Sequence, residues 1–463
     1  MRTFAIKTLG CKVNQYESQQ VRELLESHGL EQTSAETAPD LVVINTCCVT
    51  HVASAKSRQL TRKTKKTNPH SVVVVAGCLP AGQTEELKGL EKQAIIVEQK
   101  DLLVQTLKSL LANSTEASNR TTTGSRTLKS AKIKHKNDSK NAETPTPNKS
   151  TSHETNDSEL PDLKSYKGQT RAFLKIQDGC DGFCTYCIIP KIRNKISSKP
   201  SETILQEARD LVYAGHKEIV LTGIFLGAYG QETVRRRKWE KESTGKLPEL
   251  LDKIAQIQGL ERLRLSSLEP GDVTEELLEV MCKHDNITHH LHLPLQSGSG
   301  RVLKRMCRQY NEKEFIAAID LLCDRLDRPA ITTDIIVGFP GETDSDFQAT
   351  LNMAEYARFA KIHVFSFSER QNTPAVKMRP KIASDKIKYR SQELRELDSK
   401  LQLQFRQQFA GTEMRMIVEN AQKQTGRTDR YFEVQIKDNR KYETGELVTG
   451  FLSKDAQSLQ VIA

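Results

Sequence analysis

Long apolar segments and internal repeats are missing from this sequence of 463 residues. No run of apolar residues approaches the ~18 that a membrane-spanning helix needs, so we expect no membrane span. The first residues, Met1 to Lys7, form no apolar stretch of signal-peptide length, and we therefore expect a cytoplasmic location. No repeat with a period of about 20–50 residues is evident, which argues against a solenoid or a propeller. Heptads and large apolar helix faces are also missing, and we expect a monomer.

Positive charge is in excess. The formal net charge is +10 and the isoelectric point is near 9.0, while 37% of the residues are hydrophobic and 28% are charged. This composition is sufficient for buried cores, and the length suggests about two to four domains. A basic surplus favours a polyanionic partner, of which nucleic acid is the commonest, although an anionic membrane surface would also fit the charge.

Ten cysteines occur in a sequence without an export signal, which favours metal ligands or reactive thiols over disulfides. Cys180, Cys184 and Cys187 are clustered in the sequence. A second set is spread out, and it consists of Cys11, Cys47 and Cys78. The sequence therefore offers two separate sets of three candidate ligands.

The N-terminal segment has the pattern of a parallel α/β sheet. Strands are predicted at residues 3–9, 41–44 and 71–75, and a helix is predicted at residues 15–28. Continuous apolar strands that alternate with helices indicate a parallel sheet covered on both faces. A cysteine follows each strand: Cys11, Cys47 and Cys78. Because the carboxyl ends of parallel strands meet at one edge, these thiols are expected to converge; the alternative is that each packs as a small apolar side chain.

Three further segments differ in composition. Residues 113–165 are rich in Ser, Thr, Asn and Lys and nearly free of aromatic side chains, which predicts a disordered linker.

Beyond the linker, predicted helices such as 203–214 and 312–323 alternate with six predicted strands: 173–177, 218–223, 262–267, 290–296, 331–339 and 361–367. Six βα repeats predict a partial (β/α)6 TIM-like barrel with its active site at the carboxyl ends of the strands. In the C-terminal tail of the chain, apolar and polar residues alternate at 414–418, 431–436 and 446–451, which predicts a small antiparallel β-barrel.

One motif directly follows the first predicted barrel strand: Gly179-Cys180-Asp181-Gly182-Phe183-Cys184-Thr185-Tyr186-Cys187. Its CxxxCxxC spacing lets three thiolates hold one soft metal centre. A structural zinc site is the alternative, but zinc normally takes four protein ligands, and no fourth Cys or His follows at a suitable spacing. Three thiolates on a four-iron cluster would leave one iron open for a substrate or a cofactor.

CxxxCxxC with an aromatic residue, Tyr186, before the last cysteine resembles the motif of the radical S-adenosylmethionine (SAM) superfamily. Nearly the whole chain except the linker resembles one branch of that superfamily, the methylthiotransferases. The matching stretches are 8–14, 45–47, 76–78, 221–224, 293–299 and 334–343. The resemblance implies an N-terminal methylthiotransferase domain (1–112), the linker (113–165), a radical SAM core (166–400) and a C-terminal TRAM domain (405–463), which is an RNA-binding module.

The resemblance also implies the cofactors, which are two [4Fe-4S] clusters and SAM. One cluster, on Cys180, Cys184 and Cys187, would bind SAM at its open iron and cleave it to methionine and a 5′-deoxyadenosyl radical that removes hydrogen from an unactivated carbon. The second cluster, on Cys11, Cys47 and Cys78, would carry or donate the sulfur, and a second SAM would supply the methyl group. The protein must position these groups and exclude water. An electron donor such as flavodoxin or ferredoxin is a further expected partner.

Contacts with SAM or substrate are expected from polar and glycine residues at the strand ends: Thr222, Gly223, Ser266, Ser267, Glu269, Gln296, Ser297, Asp334 and Gly338. Gly223 would let the backbone approach the cofactor, although turn formation explains a glycine equally well. Asp334 and the turn from Gly338 could hold the adenine edge, although Gly-Phe-Pro-Gly is also an ordinary loop signal. For His290 and His292, which share a strand face, packing and hydrogen bonding are expected rather than a ligand role.

Within the methylthiotransferases the chain looks most like the MtaB-like group, through residues 8–14, 56–59, 221–224 and 303–306 before Tyr310. This implies methylthiolation at C2 of N6-threonylcarbamoyladenosine at position 37 of tRNA, next to the anticodon. Lys191 and Arg193 could face the acidic substituent. The basic residues of the tail would contact phosphates or merely form a solubilising surface: Arg415, Lys423, Arg427 and Arg430. The alternatives are isopentenyladenosine in tRNA, an aspartate of a ribosomal protein, and a non-catalytic zinc- and RNA-binding protein.

Overall fold

The computed structural model describes residues 1–82, 84–118, 159–239 and 246–461. No helix within these ranges is long and apolar enough to cross a membrane. The described residues form two compact units. The first unit is drawn from residues 1–9, 20–46 and 55–161, and the second from residues 10–19, 47–54 and 162–463.

The first unit contains a parallel sheet with the strand order β2-β1-β3-β4-β5. Its strands are β1 (Thr3–Thr8), β2 (Glu31–Gln32), β3 (Leu41–Thr46), β4 (Val72–Gly77) and β5 (Ile95–Ile96). The helices of this part of the chain are α1 (Lys12–Ser27), α2 (His51–Thr67), α3 (Cys78–Gly82) and α4 (Lys100–Ser118). Val43 and Val74 on one face of the sheet share a core with Leu107 of α4, whereas Val42 and Val73 face Leu60 of α2. The predicted parallel sheet with two covered faces is therefore confirmed.

The predicted 113–165 linker is wrong at both ends. Helix α4 continues to Ser118, because its apolar residues, such as Leu107 and Leu111, pack on the sheet and the polar residues that follow extend an existing helix. At the other end, Leu163 is fully buried, and its N–H donates a hydrogen bond to Glu207 at 2.7 Å. The middle of the predicted linker, residues 119–158, lies outside the described residues.

The second unit contains an open arc of parallel strands. Its strands are β6 (Arg171–Asp178), β7 (Ser197–Ser198), β8 (Glu218–Gly223), β9 (Arg262–Leu265), β10 (His290–His292), β11 (Ala330–Val337) and β12 (Lys361–Ser366). They form two sheets, β7-β6-β8-β9 and β10-β11-β12, which parallel bridges from Leu263 to Ile287 and from Ser267 to His292 connect. Only β7 is antiparallel to its neighbour, and no pairing among the described residues joins β12 to β6 or β7. The predicted unclosed barrel of six parallel strands is thus confirmed.

Helices cover this arc. They are α5 (Ile189–Ile192), α6 (Ser201–Tyr213), α7 (Lys246–Ala255), α8 (Glu275–Lys283), α9 (Gly300–Arg305), α10 (Glu312–Arg325), α11 (Asp344–Ala357) and α12 (Ser384–Gln407). Reciprocal side-chain caps by Asn311 and Thr343 start α10 and α11. Helix α12 runs through residues 400–405, where the boundary between the core and the tail was predicted.

The tail folds into a closed barrel with the strand order β13-β14-β15-β17-β16. Its strands are β13 (Glu413–Asn420), β14 (Thr425–Thr428), β15 (Glu433–Lys437), β16 (Leu447–Leu452) and β17 (Ser458–Val461). Met416, Val434 and Leu459 fill its interior. The sequence predicts only β13, β15 and β16, because β14 and β17 have four residues each and are too short for a readable alternation.

A buried charged cluster joins the small barrel to the arc within the second unit. The carboxylate of Glu218 is fully buried and lies 2.9 Å from Arg264 Nε and 3.2 Å from Arg262 Nη1. The same two guanidinium groups donate hydrogen bonds to backbone carbonyl groups of the small barrel, among them those of Arg415 and Thr428. The barrel is therefore attached near the amino ends of the arc strands, away from their carboxyl ends.

Candidate active site

The CxxxCxxC loop starts at a glycine that no other residue can replace. Gly179 has a φ of +83°, and a Cβ at this position would lie 1.9 Å from the carbonyl oxygen of Lys195. The amide of Gln177 donates hydrogen bonds to the carbonyl groups of Asp178 and Gly179 at 3.0 and 2.9 Å. These contacts turn the chain sharply out of β6 and place the loop at the carboxyl end of that strand.

The three thiols of this loop are partly buried. Burial raises the pKa of Cys180 to about 11 and that of Cys187 to about 12. A guanidinium N–H of Arg308 donates to Cys184 Sγ at 3.2 Å, and the N–H of Gly182 donates to Cys180 Sγ at 3.3 Å. Buried thiols beside hydrogen-bond donors become good ligands once a metal supplies positive charge in place of their protons.

The distances between the cysteine sulfurs bear on whether the site is a tetrahedral zinc site. A Zn–S distance of about 2.3 Å places the sulfurs of a tetrahedral zinc site about 3.8 Å apart. In the part of the chain that the structure describes, no three cysteine sulfurs lie within 4.8 Å of one another. The described cysteines therefore lack the close spacing of three sulfurs on one tetrahedral zinc ion.

Arg308 is a site residue that the sequence analysis missed. Its buried guanidinium group pairs with the carboxylate of Glu269 in addition to its contact with Cys184. It also lies 3.4 Å from the hydroxyl group of Tyr186 and 4.9 Å from the ring centroid of Tyr310. No sequence motif marks this residue, because its partners come from three separate segments of the chain.

Two of the predicted cofactor contacts carry polar atoms without a hydrogen-bond partner among the described residues. These atoms are Ser266 Oγ and Glu269 Oε2, and both are buried. Arg236 Nε lies 3.9 Å from Glu269 Oε2, which is too far for a hydrogen bond. Since buried polar atoms in proteins are nearly always bonded, these two mark a place for a polar ligand.

Three other predicted residues lie near these atoms at the strand ends. Thr222 is buried, and Ser267 is exposed and bridges to His292. A Cβ at Gly223 would lie 3.1 Å from Gln177 Cβ, so the close neighbour of this glycine is a side chain of the protein itself.

Gln296, Ser297 and Gly338 have structural contacts of their own. Gln296 has a φ of +60°, and its backbone bridges to β11. The hydroxyl group of Ser297 lies 3.4 Å from that of Thr350 on α11. At Gly338, with a φ of +80°, a Cβ would lie 2.4 Å from a side-chain carbon of Ile387 on α12. These contacts explain the three residues without a ligand, and their cofactor roles stay predictions.

Asp334 lies inside the arc with two histidines. Asp334 Oδ1 is 3.5 Å from His292 Nε2, and Asp334 is the register partner of His363 on β12. The ligand atoms of the three side chains lie within 4.8 Å of one another, and all three are half-buried. His290 behaves as the sequence predicts, because it is buried and stacks on Tyr431 with a centroid distance of 4.0 Å.

The second set of cysteines follows three adjacent strands of the N-terminal sheet. Cys11 comes shortly after β1, and Cys47 and Cys78 come directly after β3 and β4. Two glycines fix the strand exits. A Cβ at Gly10 would lie 3.1 Å from Cys47 Cβ, and a Cβ at Gly77 would lie 2.4 Å from Asn45 Oδ1. Burial raises the pKa of Cys47, and the charge of Cys11 contributes in the same direction, so these two thiols are close to each other.

Of the two basic residues that could face an acidic substituent, one is already paired. The guanidinium group of Arg193 is occupied by Glu17 at 2.8 Å and Asp178 at 2.9 Å, whereas Lys191 is exposed, and its role stays a prediction. A third cation, Lys12, interacts electrostatically with Asp334. Desolvation, together with repulsion from Arg171 and Arg264, lowers the pKa of Lys12 to about 8.

The predicted phosphate contacts of the small barrel are mostly occupied as well. Arg415 pairs with Glu261 at 2.5 Å, Arg427 pairs with Glu419 at 3.3 Å, and Arg430 pairs with Asp327 at 3.4 Å. Lys423 of the predicted set is exposed and has no carboxylate partner among the described residues. The three arginines take part in ion pairs inside the protein, and a phosphate contact of these four residues stays a prediction.

Comparison with known families and proteins gives consistent matches. Residues 174–354 match the radical SAM superfamily, and residues 3–98 match a family described as uncharacterized protein family UPF0004. Threonylcarbamoyladenosine tRNA methylthiotransferase MtaB of Bacillus subtilis (strain 168) is 34% identical, over 94% of this chain and 91% of the relative. MtaB of Thermotoga maritima is 33% identical, over 90% of this chain and 87% of the relative.

A relative of a second kind and a solved structure also match this chain. The tRNA-2-methylthio-N(6)-dimethylallyladenosine synthase of Thermobifida fusca (strain YX) is 31% identical, over 95% of this chain and 82% of the relative. Among solved structures, the radical SAM methyltransferase TsrM from Kitasatospora setae matches with a TM-score of 0.53 and 12% identity, over 81% of this chain and 77% of that chain. At this identity the likeness concerns the fold alone.

Proposed function

We propose a reaction for this chain, which belongs to the family of radical SAM tRNA methylthiotransferases. It attaches a methylthio group to C2 of N6-threonylcarbamoyladenosine at position 37 of tRNA. The observation that carries this proposal is the presence of two separate three-cysteine sets, each at the carboxyl ends of parallel strands. One set serves the radical chemistry of the superfamily, and the other suits a sulfur-carrying cluster. The reaction is proposed to take place in the cytoplasm, where tRNA is available.

The cofactors of this family are two [4Fe-4S] clusters and SAM, and they are the cofactors of this chain. When bound, they supply one-electron cleavage of SAM together with the sulfur and the methyl group that the substrate receives. Cys180, Cys184 and Cys187 are proposed to hold the first cluster, with Arg308 fixing Cys184. Cys11, Cys47 and Cys78 are proposed to hold the second one.

The polar atoms beside the first cluster are proposed to hold SAM. Glu269 Oε2 offers a buried carboxylate oxygen for its amine, and Ser266 Oγ offers a hydroxyl group for a second polar atom. Arg308 keeps the Glu269 carboxylate oriented, since it pairs with the other oxygen. The buried surroundings exclude water from these contacts, which strengthens them.

Identification of the modified nucleoside tests the proposed activity. Nucleosides of tRNA from cells that lack this chain are compared by mass spectrometry with those from cells that express it. The 2-methylthio derivative of threonylcarbamoyladenosine is expected only with the chain present. If the chain restores 2-methylthio-isopentenyladenosine instead, the substrate assignment is wrong, although the reaction class stands.

Replacement of Glu269 by Gln is expected to weaken SAM binding about 10- to 100-fold, because a charge-assisted hydrogen bond contributes about 1.5–3 kcal/mol. Equilibrium binding of SAM to the anaerobic, cluster-loaded protein measures this effect. Glu279→Gln, at an exposed position of α8, is the matched control and is expected to leave binding unchanged. An iron content equal to that of wild type would show that the variant has lost a cofactor contact and not the cluster. Unchanged SAM affinity in Glu269→Gln would remove this residue from the site.

The basic face of α2 is proposed as a contact surface for tRNA. Arg62, Lys63 and Lys66 are exposed, line one shallow groove of the first unit and have no carboxylate partner among the described residues. This contrasts with the arginines of the small barrel, which pair with carboxylates. Unpaired cations on one helix face are suited to phosphates, which dominate the affinity of proteins for nucleic acids.

The variant Arg62→Ala/Lys63→Ala/Lys66→Ala is expected to bind tRNA more weakly and with a lower salt dependence. The slope of log K against log salt concentration should fall by about 2–3, since each lost phosphate contact removes about 0.7–0.9. Fluorescence anisotropy of labelled tRNA over a salt series measures the slope. The control is Lys253→Ala/Lys283→Ala/Lys400→Ala, which removes the same charge from lysines that carboxylates already neutralise. Equal slopes in the two variants would show that only the net charge matters.

A further inference from the structure

Three neighbouring strands bring polar side chains to one level inside the arc. His292 on β10, Asp334 on β11 and His363 on β12 have ligand atoms within 4.8 Å of one another. His292 Nδ1 lies 3.0 Å from the hydroxyl group of Thr332, which leaves its Nε2 directed toward Asp334 at 3.5 Å. All three side chains keep some exposure, and so a ligand that enters the arc can reach them.

A cation completes this group. Lys12 interacts electrostatically with Asp334 on β11, and it is also close to Arg171 at the start of β6 and Arg264 on β9. These strands lie on different sides of the arc, which places the ammonium group inside it. We call the group of Lys12, His292, Asp334 and His363 the lumen site.

Unlike the neighbouring arginines, Lys12 has no carboxylate partner among the described residues. Arg171 pairs with Glu419 at 3.0 Å, and Arg264 pairs with Glu218 at 2.9 Å. Among the residues that the structure describes, no carboxylate oxygen lies within ion-pair distance of Lys12. A half-buried ammonium group among paired arginines attracts an anion, and a carboxylate accepts strong charge-assisted hydrogen bonds from an ammonium group.

The place of the lumen site in the fold suggests which molecule carries that carboxylate. Lys12 directly follows Cys11, a proposed ligand of the sulfur-carrying cluster, so adjacent residues of the chain link the lumen site to that cluster. Threonylcarbamoyladenosine carries a carboxylate, a hydroxyl group and ureido N–H groups on N6. The ammonium group suits the first, Asp334 can accept from the donors, and the imidazole N–H groups can donate to the carbonyl oxygen.

We infer that the lumen site binds the carboxylate and the other polar atoms of the N6 substituent of the substrate and thereby selects threonylcarbamoyladenosine over a prenylated adenosine. This inference rests on the proposed function. An isopentenyl group offers no polar atom, so its entry would remove water from this polar group and leave the ammonium group of Lys12 desolvated and without an anion. Sites built for polar groups reject apolar analogues strongly for this reason.

Binding of two anticodon stem-loop RNAs tests the inference. One RNA carries threonylcarbamoyladenosine, and the other carries the same group with its carboxylate converted to a neutral amide. The full-length wild-type protein, anaerobic and without reductant, is expected to bind the carboxylate form about tenfold more tightly or better. Lys12→Gln is expected to bind both RNAs with equal affinity, while Lys191→Gln, at an exposed lysine, keeps the wild-type preference.

An iron measurement and a second variant show whether Lys12→Gln acts only by damaging the neighbouring cluster. Because Lys12 is next to Cys11, the iron content of Lys12→Gln is compared with that of wild type. His363→Leu lies on β12, far in sequence from every cysteine ligand, and is expected to weaken the binding of both RNAs several-fold, because both carry the carbonyl oxygen to which the imidazole donates. Methylthiolation of the carboxylate RNA by Lys12→Gln should fall through a raised KM, whereas the exposed-site control Lys191→Gln is expected to keep the wild-type KM and kcat.

The outcomes separate the inference from the proposed function. If wild type modifies the threonylcarbamoyl RNA while Lys12→Gln keeps the wild-type preference for the carboxylate RNA and His363→Leu keeps the wild-type affinity for both RNAs, the lumen site does not bind the N6 substituent. If wild type modifies only an isopentenyl-adenosine RNA, the proposed substrate is wrong, and the inference falls with it. If the purified protein holds one zinc ion per chain that His363→Leu loses, the histidines and Asp334 form a metal site, and the inference is overturned.

Discussion

A variant with Cys180, Cys184 and Cys187 all replaced by alanine is expected to hold about four irons per chain, against about eight in the wild type. The complementary variant, with Cys11, Cys47 and Cys78 replaced, is expected to hold about four as well. Each set sits at its own group of strand ends, so the loss of one cluster should leave the other in place. Anaerobic determination of iron and acid-labile sulfide gives these numbers.

Both variants are expected to form no methylthio product, because the radical step needs one cluster and the sulfur step the other. The matched control replaces Cys282, Cys307 and Cys323 by alanine. These exposed cysteines lie outside both sets, and about eight irons and wild-type activity are expected to remain. A wild type with only about four irons, all lost with the CxxxCxxC cysteines, would mean that the second set is structural. Zinc in place of iron would restore the alternative of a non-catalytic metalloprotein.

Glu218→Gln is expected to lower the free energy of unfolding of the second unit by about 3–5 kcal/mol, the effect of removing one partner from a buried ion pair. The change keeps the shape of the side chain but leaves Arg262 and Arg264 buried without a carboxylate. These arginines also hold the small barrel through its carbonyl groups, so the joint between the two should weaken. Urea unfolding at neutral pH measures the loss, and Glu279→Gln, at an exposed position of α8, is the control, expected within about 0.5 kcal/mol of wild type.

The effect of Glu218→Gln is expected to depend on pH. Burial alone would raise the pKa of Glu218, but Arg264 and Arg262 outweigh it and hold the pKa at about 2. An unfolded glutamate has a pKa of about 4.3. The stabilisation, of about 3 kcal/mol, is therefore fully present above that value and is lost as the pH falls toward 2. The difference between wild type and variant should narrow when unfolding is repeated at progressively lower pH. A difference that is constant with pH would show that Glu218 acts through packing and not through its charge.

The sequence by itself determined the features that depend on short stretches of chain. The apolar runs of β3 and β4 between helices predicted a covered parallel sheet, and the six βα repeats predicted an open arc. The position of Cys47 and Cys78 directly after strands predicted their common edge, since parallel strands carry their ends to one side. CxxxCxxC needed no tertiary information, because eight consecutive residues supply all three thiols.

Only the tertiary structure decided which charged side chains have an ion-pair partner. Arg193, Arg415, Arg427 and Arg430 look alike in sequence to cations that bind a substrate or RNA, yet each is paired with a carboxylate from another segment. Periodicity and spacing describe neighbours along the chain, whereas the partner of a long charged side chain is set by packing between distant elements.

The same reason explains the residues that sequence reasoning overlooked. Arg308 gains its role from Cys184 and Glu269, which lie 124 and 39 residues away. His292, Asp334 and His363 meet only because β10, β11 and β12 are adjacent, and Lys12 joins them from the opposite end of the chain. No local pattern encodes such a meeting, because register and strand order are fixed by the burial of the whole arc.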